Sequence, residues 1–129
     1  EGLLIIRWDA PLFFANATIF RDLVRNLIAE TEPAPYWILV TAEPVTDVDS
    51  TAADMLVDLD LDLNANGRHL IFAEVTPPVK EKIIAYGLLD TIDHRHFYPT
   101  IKQAVKAFRK AWKVHQARLE EEKAQQEEA

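Results

Sequence analysis

Two short apolar runs with no polar interruption, Trp37-Ile38-Leu39-Val40 and Leu70-Ile71-Phe72-Ala73, constrain this chain most. A strand with one wet face alternates apolar and polar residues; an unbroken run needs cover on both faces. Between them lies a helical pattern in which Ala52, Met55, Leu56, Leu59 and Leu63 recur on one side, closed by Asn66-Gly67. Buried strands alternating with amphipathic helices predict a mostly parallel sheet with right-handed crossovers, an α/β fold.

The rest of the chain extends the alternation. Leu3 to Arg7 and Leu12 to Phe14 read as short strands or a hairpin, separated by Asp9 and Pro11, and would add an antiparallel contribution. Asn16 caps a predicted helix with Phe20, Leu23, Val24, Leu27 and Ile28 on its apolar face, ended by Pro33 and Pro35. Thr76 and Pro77 open a helix that runs to Tyr86 and closes at Gly87. Phe97 belongs to a last short strand, and Thr100 caps a long final helix.

With 129 residues, 49% of them hydrophobic, the chain suffices for one domain with a real core. That domain is expected over residues 1–118, and residues 119–129 form an acidic tail, helical or disordered, with almost nothing to bury. A formal net charge of −7 argues against a general nucleic-acid binder. The absence of cysteine excludes disulfides and thiol chemistry. The opening run Leu3-Leu4-Ile5-Ile6 is far short of the ~18 apolar residues of a membrane span. Because the chain starts at Glu1 and its one methionine is Met55, it reads as a piece of a longer protein.

The candidate site is Asp49-Ser50-Thr51, where the loop after the Trp37 strand turns into the next helix. A small hydroxyl at a helix start accepts from free first-turn N–H groups, with Ser50 expected as the cap. The same N–H groups favour a phosphate, so the turn reads first as a cap and second as a switch. On the helix that follows, Asp54, Asp58 and Asp62 recur every four residues, lining one face with carboxylates that repel by about 0.2–0.5 kcal/mol per pair. This stripe is a solvated face or a docking surface for a basic partner.

The final helix has the opposite sign. Ile101, Ala104, Val105, Phe108 and Trp112 form an apolar face, with Lys102, Lys106, Arg109 and Lys113 along another. Such a helix either packs on the core with a solvated back or lies on an anionic lipid surface. Three glycines, Gly2, Gly67 and Gly87, leave neither a P-loop nor a dinucleotide fingerprint. His94 and His96 alternate as if on one strand face, a weak metal signal without a third ligand. No cofactor, metal or catalytic set is expected.

Three segments together carry a resemblance. Ala10-Pro11-Leu12-Phe13-Phe14-Ala15-Asn16-Ala17, Val48-Asp49-Ser50-Thr51-Ala52 and Gly87-Leu88-Leu89-Asp90, at matching intervals, resemble the STAS domain of SulP-family anion transporters. The likeness runs from about Leu3 to Phe108. It implies a STAS fold, about four helices around the sheet, and a non-catalytic regulatory role on the cytoplasmic side of a membrane transporter of sulfate, bicarbonate or dicarboxylate. The implied partners are the transport domain of the parent protein, a second copy of the chain and, through the basic helix, the membrane surface, but not nucleic acid. The alternative is a free-standing anti-sigma-factor antagonist, a class that shares the Asp-Ser-[Ser/Thr] turn and is phosphorylated at the position matching Thr51. Where such relatives have glycine next, this chain has Ala52 and Ala53.

Overall fold

The computed structural model describes residues 2–9, 12, 15–43 and 45–128. Expectations resting on Ala10, Pro11, Phe13, Phe14 and Pro44 lie outside them. Among the described residues the sheet has four strands, β1 (Leu3–Arg7), β2 (Trp37–Thr41), β3 (His69–Ala73) and β4 (Phe97–Tyr98), in the order β1-β2-β3-β4. Every pairing is parallel, with Trp37 opposite Leu3 on one side and His69 on the other. The helices are α1 (Ala17–Glu30), α2 (Ser50–Ala65), α3 (Pro77–Ala85) and α4 (Ile101–Glu128).

This is the predicted α/β architecture with one correction. β1 pairs parallel to β2, and Leu12 forms a parallel bridge to Val48 instead of a hairpin with β1. The physical reason is the register: Leu12 accepts from Asp49 N–H at 3.0 Å and donates to the Asp47 carbonyl at 2.9 Å, which ties it to the loop ahead of α2.

Alternation along the strands sorts the core into two layers. Ile6, Ile38, Val40, Leu70 and Phe72 pack with Phe20 and Val24 of α1, Leu56, Leu59 and Leu63 of α2, and Val79 and Ile83 of α3. Trp37, Leu39, Ile71 and Ala73 face the other way, against Ala104 and Phe108 of α4. Both faces of β2 are therefore covered, and all five of its residues are buried.

Asn16 and Thr76 stand at the starts of α1 and α3 as expected, but neither makes a side-chain capping hydrogen bond; two other helix ends follow the sequence signals. α2 stops in a Schellman motif: Arg68 N–H donates to the Leu63 carbonyl at 2.8 Å and Gly67 N–H to Asn64 at 3.0 Å, with Gly67 at φ 75°. Thr100 caps α4, its Oγ1 accepting from Gln103 N–H at 3.1 Å. α4 continues as helix through Glu128, so the acidic tail is a helical extension with no core beneath it.

Candidate functional site

The loop between β2 and α2 is built from inside outward. Val45 and Val48 are buried, and the Leu12 bridge fastens the backbone on either side of Val48. The Asp47 carboxylate accepts from Val48 N–H at 2.9 Å and from the Lys82 ammonium on α3. These hydrogen bonds hold the Asp47 carboxyl below its ordinary range, and the same carboxylate raises Lys82. The turn that follows thus leaves from backbone anchored at Leu12 and Lys82.

At the turn the cap is Asp49, not Ser50. Asp49 has extended backbone, and its Oδ1 accepts from Ala52 N–H at 2.8 Å, while its carbonyl accepts from Ala53 N–H at 2.9 Å. Ser50 and Thr51 are the first two helical residues, and both are exposed. An aspartate reaches the N–H three residues on as well as a serine does, and it also suits the positive end of the helix dipole. Because Asp49 meets this N–H, the hydroxyls of Ser50 and Thr51 remain at the surface. Ala52 and Ala53, just behind them, are buried under the turn.

Asp54, Asp58 and Asp62 all lie exposed on α2 as the spacing predicts, but α1 supplies countercharge alongside them. Arg25 Nη2 stands 3.5 Å from Asp62 Oδ2. Ala17, Thr18, Arg21 and Arg25 of α1 and Thr51, Asp54, Met55 and Asp58 of α2 line an open groove of about 370 Å³. One wall is basic, the other acidic, and Thr51 stands among the lining residues. The geometry can accept a partner carrying both signs of charge.

One carboxylate of the same helix escaped sequence reading. Asp60 is 1% exposed, with Oδ2 accepting from Asn64 Nδ2 at 3.2 Å and Oδ1 without a partner. Burial pushes its carboxyl up. The signal was present: Asp60 follows Leu56 by four and precedes Leu63 by three, which places it inside the apolar stripe.

Two further expectations are corrected or narrowed. His94 and His96 lie in a single 3-10 turn ahead of β4, not on a strand; Asp93 caps that turn by accepting from Arg95 N–H at 2.9 Å. The Arg95 guanidinium holds the Asp93 carboxyl far below the carboxylate range. Among the described residues no group of three His, Asp or Glu side chains could hold a metal. The apolar face of α4 is occupied by the sheet, leaving its lysines and arginines on the exposed back. Among the described residues no helix is long and apolar enough to cross a membrane.

A model of the STAS domain family matches residues 1–104. A probable sulfate transporter of Mycobacterium tuberculosis is 37% identical over 109 residues, which is 84% of this chain and 20% of that protein. The chain therefore spans about a fifth of the length of that relative. The murine solute carrier 26 family member A9 anion transporter, in its inward-facing state, superposes with a TM-score of 0.76 at 24% identity, covering 85% of this chain and 18% of that one. A putative anti-sigma factor antagonist of Thermotoga maritima superposes with a TM-score of 0.71 at 17% identity, over 84% of this chain and 89% of that one. At such identities both superpositions speak for the fold alone, shared by transporters and antagonists. The fold and the match across most of the chain agree: this chain belongs to the STAS domain family.

Proposed function

We propose that this STAS domain is a non-catalytic regulatory and docking domain of a SulP-family anion transporter, held at the cytoplasmic face of the membrane. The observation that carries the reading is the 37% identity to a probable sulfate transporter over 84% of the chain. Within the anion classes of the family, that likeness favours sulfate. Transport itself belongs to a membrane domain outside this sequence.

The docking surface is the groove between α1 and α2. Asp62 is engaged by Arg25, so the carboxylates that remain to meet basic cytoplasmic loops are chiefly Asp54 and Asp58. Crosslinking α2 to the membrane domain of the full-length protein tests this. The Asp54→Asn, Asp58→Asn double variant is expected to crosslink less and to alter anion uptake, and crosslinking in the unchanged protein is expected to weaken with salt. Unchanged crosslinking without salt dependence would remove the groove from the interface. A parent reading frame without membrane spans would remove the transporter reading itself.

One observation favours a second reading, the antagonist-type phospho-switch: Ser50 and Thr51 are exposed in the first turn of a helix, where a phosphate is electrostatically welcome. Against it stand the neighbouring charges of Asp49 and Asp54. Phosphate found on Thr51 by mass spectrometry of the cellular protein would favour the switch.

A further inference from the structure

At the end of the sheet opposite the Asp49 turn, the strand starts bring together titratable rings that are remote in sequence. Tyr36 precedes β2, His69 opens β3 and His96 precedes β4. His96 and His69 have ring centroids 5.9 Å apart, His69 and Tyr36 5.1 Å, and Tyr36 stacks on His115 of α4 at 3.9 Å with planes 11° apart. Trp112, one turn earlier on α4, packs on the same rings, 6.0 Å from Tyr36 and 5.7 Å from His115. The row thus runs from β4 across β3 and β2 to α4. It fastens the middle of α4 to the sheet, and the described side chains beyond His115 are exposed.

The polar atoms around this row are poorly satisfied. Asp60 Oδ1, His96 Nδ1 and Arg68 Nε are buried with no hydrogen-bond partner among the described residues. The charged groups facing the row are Asp60 from α2, Arg68 beside His69, Asp93 and Arg95 in the turn that holds His96, and Lys110 and Arg118 of α4, which line a groove with Tyr36 and His115. Asp93 is already engaged by Arg95, which leaves Asp60 as the carboxylate that interacts with His96. A proton on His69 adds a positive charge beside His96 and His115. His69 is lowered from the ordinary histidine value by burial first and then by its two histidine neighbours.

We propose that His69, His96 and His115, strung along the strand starts with Tyr36 between two of them, form a proton-binding latch. Neutral, the rings hold the middle of α4 against the sheet; on mild acidification their mutual repulsion releases it. The release would leave α1, α2 and the docking groove in place, so the site acts on the domain's C-terminal helix and not on its core.

The test uses the 129-residue chain, with imidazole resonances followed by NMR from pH 8 to 5 and amide exchange measured at pH 7.5 and 5.5 after correction for intrinsic rates. His69 is expected to titrate below the ordinary histidine value, and His96→Gln and His115→Gln are each expected to raise its midpoint. Amides from Phe108 to His115 are expected to lose at least tenfold protection at pH 5.5 relative to those of Phe20 to Val24, and His69→Gln to remove most of that loss. Should His69→Gln fail to fold, His115→Gln at the partly exposed end of the row gives the same readout. A His69 midpoint unmoved by both neighbouring substitutions would overturn the proposal. So would an α4 protection loss that is absent, or the same size in the unchanged chain and the variants.

Discussion

Replacing Asp49 by alanine removes the one side-chain acceptor shown to cap α2, the 2.8 Å bond from Ala52 N–H. Loss of such a cap costs about 0.5–2 kcal/mol. The backbone bonds of residue 49, its N–H to the Leu12 carbonyl and its carbonyl from Ala53 N–H, survive the substitution, so the expected loss is about 1 kcal/mol rather than collapse of the loop. In urea melts, with a slope of about 2 kcal/mol/M for a domain of this size, the midpoint falls by about 0.5 M. Asp49→Asn keeps an acceptor in place and is expected to recover most of the difference. Ser50→Ala and Thr51→Ala remove exposed hydroxyls from the first helical turn and are expected to change stability by less than about 0.5 kcal/mol. A Ser50→Ala loss as large as that of Asp49→Ala would show that the hydroxyl, not the carboxylate, is the cap.

Burial raises the Asp60 carboxyl, so its ionised form is tolerated worse folded than unfolded, and the stability it contributes falls as pH rises through the folded value. Asp60→Asn is therefore expected to stabilise the chain by about 1 kcal/mol at pH 7.5 and to lose that advantage as pH falls into the carboxylate range, as read by urea melts at both pH values; destabilisation at pH 7.5 would contradict it. Gly2 sits at φ 84°, and a Cβ there would lie 2.7 Å from the Trp112 ring, so Gly2→Ala is expected to cost about 1–3 kcal/mol in thermal or urea unfolding. Phe108, 5% exposed and 5.6 Å edge-on to Trp37, is expected to cost about 3–5 kcal/mol when cut to alanine, whereas Val114→Ala on the exposed side should be nearly silent; equal, small losses in the two melts would mean that α4 is not a core layer.

Local patterns were enough to place most of the fold. Unbroken apolar runs at residues 37–40 and 70–73 could be stable only between two covering layers, and the helix stripes, the Asn66-Gly67 stop and the Thr100 cap are set within a few residues of themselves. The same local logic exposed Asp54, Asp58 and Asp62 on one face. It could not choose between neighbouring capping groups, since Asp49 and Ser50 both can reach a first-turn N–H; the Leu12 bridge and the anchored Asp47 loop set which one points inward. Nor could it show that Arg25 meets Asp62 across 37 residues, or that β1 runs parallel to β2. The row of His69, Tyr36, His96 and His115 was beyond its reach altogether. Those rings meet because β2 and β3 start in register, the 3-10 turn before β4 brings His96 beside His69, and α4 packs along the sheet to reach Tyr36; contacts of that kind are decided by how layers stack, not by any pattern along the chain.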